Sequence, residues 1–117
     1  MEESILNSIK SLLNIPEDDE TFDQDILIHI NSVFAILNQL GVGPDEGFTV
    51  TDPYTEWSSF INDTKMFDMV KTYTYLRVRF FFDPPVSGDL KEAIVSDIAM
   101  FEWRITVAVD ESKLKET

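Results

Sequence analysis

The segment KTYTYLRVRFFFDPP, Lys71 to Pro85, restricts the fold more than any other part of the chain. It crowds apolar and aromatic side chains around two arginines and then stops at a double proline. At about 100° per residue, Met66, Met69, Val70, Tyr73, Leu76 and Phe80 form one broad apolar face, with Phe81 at its edge and Arg77 in its middle. Arg79, Tyr75 and Phe82 fall on the opposite side. The spacing predicts a helix over about 65–82 that is apolar on too many sides for a monomer.

Breakers divide the rest of the chain. Ile5, Leu6, Ile9, Leu12 and Leu13 give residues 3–14 helical spacing, and Pro16 with the acidic run Glu17 to Glu20 ends that helix. Thr21 and Gln24 fit a capping box, with Asp23 and Asp25 in the first turn, where a helix dipole favours carboxylates. Ile26, Ile30, Val33, Phe34, Leu37 and Leu40 then make an apolar stripe that stops at Gly41, a natural C-terminal cap. Residues 41–53 hold three glycines and two prolines and predict an ordered loop, with a short extended piece at 48–51. Residues 55–61 fit one or two helical turns anchored by Trp57 and Phe60. After Asp83, Pro84, Pro85 and Gly88, with Ser87 as N-cap, a last helix is expected over about 89–107. Its apolar face is Leu90, Ile94, Ile98, Phe101, Ile105 and Ala108. The β-branched stretch 105–109 also suits an extended end.

These elements predict an all-α fold, a small bundle of about four helices with a C-terminal antiparallel hairpin and an irregular central loop. One domain is expected over residues 1–110, followed by a flexible polar tail at 111–117. A chain of 117 residues suffices for a single core. Its 44% hydrophobic content and near-zero mean hydropathy fit a globular protein. No apolar run approaches the roughly 20 residues of a membrane span. Glu2 and Glu3 follow Met1 where a secretory signal would carry basic residues, so the chain is expected to work where it is made.

Charge and residue usage exclude several functions. The formal charge is −13, and residues 1–60 hold twelve acidic residues against Lys10 alone. Such a surface lacks the basic footprint of phosphate binding and predicts no direct affinity for nucleic acid. Without cysteine there is no disulfide, thiolate nucleophile or cysteine-ligated zinc. With His29 as the single histidine, neither a triad nor a common zinc site can be assembled. Glu17, Asp18, Asp19 and Glu20 lack the alternating ligands and central glycine of a calcium loop. Asp23 and Asp25 form a DxD pair with no phosphate cradle beside it, and Leu40 to Pro44 is a helix stop rather than a nucleotide loop. No catalytic, cofactor or metal residue is expected, and the chain does not read as an enzyme.

Two structural expectations follow from the helix faces. Arg77 lies about nine residues before a turn centred near Val86 and Asp97 about eleven after it, so an interhelical Arg77–Asp97 ion pair is predicted, largely buried. The alternative is that both snorkel to solvent along the hairpin edge. Off the core face, Tyr75 and Phe82 on one helix and Trp103 on the next, flanked by Met100 and Val107, would leave an apolar patch of the kind that marks protein interfaces.

INSVFAILNQLGVGP (Ile30 to Pro44), TEWSSF (Thr55 to Phe60), KTYTYLRVRFFFDPP and FEWR (Phe101 to Arg104) together resemble the small head-tail connector, or adaptor, proteins of long-tailed bacteriophages. The resemblance spans nearly the whole chain, and its motifs are structural rather than chemical. It implies a ring, commonly of twelve copies, that sits beneath the portal, extends the DNA channel and offers a platform for stopper or tail-completion proteins. DNA would pass without specific binding and no membrane would be involved. The expected location is the virion neck, after assembly in the host cytoplasm. On that implication Tyr75, Arg79 and Phe82 belong to subunit contacts, and Trp103, Arg104, Val107, Lys113 and Leu114 face the portal. The rival reading is an acidic helical regulator that binds one host or phage protein one-to-one. A stopper from the same neck would be β-rich.

Overall fold

The structure, a computed structural model, describes residues 2–116. Met1 and Thr117, the ends of the predicted domain and tail, lie outside the described residues. Among these residues the chain forms α1 (Ile5–Leu12), α2 (Asp23–Gln39), a 3-10 turn (Trp57–Ser59), α3 (Thr64–Phe82) and α4 (Gly88–Glu116). The fold is all-α, as the helical periodicities predict.

Local chemistry explains the ends of these helices. Ser4 caps α1, its Oγ accepting the Asn7 N–H at 3.1 Å, and Asn14 takes the left-handed turn beyond it at φ 62°. The Thr21 capping box does not form: Phe22 holds the cap position of α2 without a side-chain bond, and Asp19 accepts the Thr21 N–H instead. α2 closes with Gly41 N–H on Asn38 O and Val42 N–H on Leu37 O. That crossed pair needs a positive φ at Gly41, which is 94°. Asp63 caps α3 by accepting the N–H groups of Lys65 and Met66.

α3 runs through the middle of the molecule, with α2 and α4 packed on different sides of it and α1 against α2 and α3. This explains its unusual sequence. Met66, Val70 and Tyr73 are buried, but so are Thr74 and Val78 on another face. The second apolar side thus meets another helix of the same chain. At the C-terminal end of α3, Phe82 sets its ring edge-on to Phe22 with centroids 5.4 Å apart, and Phe81 stacks on His29 at 6.0 Å.

α4 returns antiparallel along α3, with Glu102 beside Arg77 and Tyr73, and Val109 lining the same cavity as Met66. Ile105 and Val109 are buried, so packing keeps the β-branched stretch helical. The helix then continues to Glu116, and the segment expected to be a polar tail is helical. At the other end every residue from Val86 to Ala93 is exposed, and Ile94 is the first of α4 to be buried. Leu90, expected on the core face, is 56% exposed because the first six residues of α4 stand clear of the bundle.

The irregular segment 40–56 is held by side chains of α2. The Asn31 amide donates to Val50 O at 2.9 Å and accepts the Val50 N–H at 2.8 Å, as a strand neighbour would. Asn38, two turns later on the same face, donates to Pro44 O. Asp52 gathers the Tyr54 and Thr55 N–H groups and the Thr55 hydroxyl, and Thr55 O in turn accepts the Ile5 N–H. Beneath this loop Phe34 and Phe60 stack in parallel at 4.1 Å, and Trp57, fully buried, donates its indole N–H to Ser8 Oγ at 2.7 Å. The molecule is flat, about 46 × 35 × 20 Å.

Candidate interaction surfaces

Between α3 and α4 a polar cluster, half-buried, joins the hairpin. Arg77 Nη2 donates to Glu102 Oε2 at 2.6 Å, Arg77 Nε donates to Tyr73 Oη, and Tyr73 donates to the same Glu102 oxygen at 2.9 Å. The guanidinium also lies over the Tyr73 ring, 5.3 Å from its centroid. Burial pushes the Tyr73 phenol up to about 12, and its bond to Glu102 adds to that. Burial disfavours the Glu102 carboxylate, yet hydrogen bonds from Arg77 and Tyr73 outweigh it and hold the carboxyl below its ordinary range.

The partner of Arg77 is therefore Glu102 and not Asp97, which is exposed. The expected register assumed a symmetrical turn at Val86. Instead Pro85 is buried, Val86 is fully exposed and α4 starts away from α3. Residues level with Arg77 consequently come about one and a half turns later in α4. On a helical wheel Glu102 lies just beyond Val109 at the edge of the apolar face of α4, so the signal was present at the border of that face.

The residues expected at interfaces divide into two groups. Tyr75 and Phe82 are half-buried and pack on the chain's own core, and Arg79 donates to Tyr75 Oη at 3.2 Å. In contrast Trp103 is 67% exposed, and Arg104, Lys113 and Leu114 are also exposed, with Val107 half-buried between them. Met100, one turn before Trp103 on the same side, extends this exposed apolar surface along α4. The periodicity of α4 explains the arrangement: Ile94, Ile98, Phe101, Ile105 and Val109 use the core side, leaving Met100, Trp103 and Val107 on the outer one.

A second exposed surface, which the sequence reading missed, lies where α2 begins and α3 ends. Phe22, His29, Phe81 and Phe82 wall an open groove of about 500 Å³, with the carboxylates of Asp25 and Asp83 at its rim. Phe81 is 61% exposed. The only hint in the sequence was Phe81 at the edge of the α3 face. On another side of the molecule Val42, Phe60, Met66 and Val109 line a cavity of about 490 Å³ with Lys113 at its mouth. An acidic hollow is formed by Glu17, Asp18, Glu20 and Asp23 with Asn7 and Tyr54.

Lys10 behind that hollow is 1% exposed. Its ammonium donates to Glu17 O at 3.0 Å and sits 2.8 Å from Asp23 Oδ1. No donor is aligned for a hydrogen bond with that oxygen, so the Lys10–Asp23 contact is coulombic. Among the described residues no three His, Asp or Glu side chains are grouped to hold a metal ion, and no helix is long and apolar enough to cross a membrane.

A family model described as phage connector protein matches residues 5–112. No curated protein and no solved structure matches the chain.

Proposed function

The chain belongs to the phage connector protein family, a structural family, and from that premise we propose that it assembles as a ring beneath the portal, of twelve copies by the family resemblance. The ring extends the DNA channel in the virion neck and carries the stopper or tail-completion protein on its far side. The observation that supports this reading most directly is the exposed face of α4, where Trp103 stands 67% exposed on a rigid helix. An aromatic held in that way suits a protein interface.

Val107, Lys113 and Leu114, towards the end of α4, are assigned to the portal. Trp103 and Arg104 share that exposed face, and Tyr75, Arg79 and Phe82 lie near the α1 and α2 side, where a neighbouring subunit would pack. The acidic N-terminal half suits a channel past which DNA slides without sticking. The test is to mix the chain with its cognate portal and weigh the product by native mass spectrometry. A complex carrying a ring of copies is expected. A one-to-one complex with a DNA-binding protein, and no binding to portal, would instead establish the acidic regulator.

A further inference from the structure

Resting on the connector reading, we propose that Arg104 of one copy, with Trp103 beside it, docks into the groove between Phe22, His29 and Phe81 of the next copy, and that this head-to-tail contact builds the ring. The groove is chemically unusual. Beside the aliphatic Leu13 and Ile15 its lining is aromatic, with Phe22 and Phe81 exposed, and it includes the exposed carboxylates of Asp25 and Asp83. Neither carboxylate belongs to an ion pair among the described residues. A planar, weakly hydrated guanidinium suits such a place: it stacks on aromatic rings and pairs with carboxylates through a fork of N–H donors.

The chain itself supplies a candidate. It has three arginines. Arg77 is engaged by Glu102 and Tyr73, and Arg79 by Tyr75. Arg104 is exposed and forms no ion pair among the described residues. Trp103, its neighbour, brings an exposed indole to the same contact.

Placement forbids the contact within one copy. Arg104 belongs to α4, whereas the groove lies where α2 meets the end of α3, and α2 and α4 flank α3 on different sides. Two unlike, complementary patches on different edges of a flat subunit are what a heterologous interface needs, and such an interface closes into a ring when the rotation permits. Electrostatics favours the same pairing. Copies that each carry −13 repel, so a stable contact must set one of the few exposed cations against carboxylates of the neighbour.

The absence of cysteine makes a direct test clean. Phe81→Cys and Trp103→Cys both alter exposed side chains, so the variants should fold. Assembled on the portal and treated with a short bis-maleimide, the double variant is expected to give a ladder of linked copies, and each single variant none. Dimers from Trp103→Cys alone would mean that α4 packs on itself about a two-fold axis and would overturn the proposal. A ring that forms on the portal with no cross-link in the double variant would overturn it too, while leaving the connector reading intact. Failure of the unaltered chain to form a ring on the portal would remove both. As an independent check, Arg104→Glu and Asp83→Arg should each weaken copy-to-copy association at least tenfold, and the two together should restore most of it. Single variants that assemble as well as the parent would rule the contact out.

Discussion

Lys10 carries the heaviest electrostatic constraint of any single side chain. It is buried to 1% exposure, and its charge is met by Glu17 O and Asp23 at close range, with the Asp19 carboxylate also within its field. Removing one member of a buried pair typically costs about 3–5 kcal/mol, because the other charge is left unanswered, whereas replacing both by apolar groups costs little. Asp23→Asn should therefore destabilise the fold by about 3 kcal/mol in urea denaturation, and Lys10→Met combined with Asp23→Leu by clearly less. Equal losses would show that Lys10 gains enough from Glu17 O alone. Gly43 is constrained in a different way. It sits at φ 86°, and a Cβ placed there would come 2.5 Å from the Phe60 ring. Gly43→Ala should cost about 2 kcal/mol or more, from backbone strain and displacement of the Phe34–Phe60 stack. Tyr73 adds a pH dependence. Its folded value of about 12 exceeds the ordinary 10, so the neutral phenol is favoured in the folded state. That stabilisation is complete below about pH 10 and is lost as pH rises through 12. Stability of Tyr73→Phe should fall less steeply than that of the parent over this range in chemical denaturation, and parallel curves would contradict the assignment.

Among the elements, helix positions were legible in the sequence because apolar residues recur at helical spacing in α1, α2 and α3, and because Gly41 and the Pro84–Pro85 pair stop helices for reasons local to them. The fate of the second apolar side of α3 was not legible. Tyr75 and Phe82 look surplus on a wheel, and only the packing of α1 and α2 against α3 shows that the chain covers much of them itself. The Arg77–Glu102 pair was missed because heights along a hairpin depend on the path of its turn, which follows from the burial of Pro85, with Val86 left fully exposed, rather than from any local rule. The end of α4 escaped for a related reason. Val109, packed against Gly41, anchors a helix whose remaining residues are polar apart from Leu114. From Asp110 to Lys115 every side chain is exposed, so this last stretch adds little to the core. Ending the chain after Glu111 should lower the melting temperature by only a few degrees, the effect of about 1 kcal/mol. Under the proposed function it should nonetheless abolish capture by the portal in a pull-down. Intact capture would move the portal contact elsewhere on the molecule.

For the molecule as a whole, net charge decides how stability responds to its surroundings. Twenty-two carboxylates share a flat body about 20 Å thick with nine lysines and arginines. Three ion pairs are present among the described residues. Of these, Lys71–Glu3 is exposed enough for water to screen it, and such pairs contribute about 0–1 kcal/mol. Lys10–Asp23, whose ammonium is 1% exposed, is better shielded and responds weakly to ions in solution, and Arg77–Glu102 lies between the two. The unpaired carboxylates, by contrast, repel one another through solvent at separations comparable with the Debye length of about 10 Å at 0.1 M salt. Added salt should therefore weaken repulsion more than it weakens attraction. Raising sodium chloride from 20 to 500 mM, values chosen to take the screening length from roughly 20 to about 4 Å, should raise the melting temperature at pH 7. The same screening should ease the approach of like-charged copies, so ring formation on the portal should also improve until the Arg104 contact is itself screened. A melting temperature that falls steadily with salt would mean that attractive pairs outweigh repulsion. The acidic surface would then act as an internal scaffold of the subunit rather than as a repulsive coat for a DNA channel.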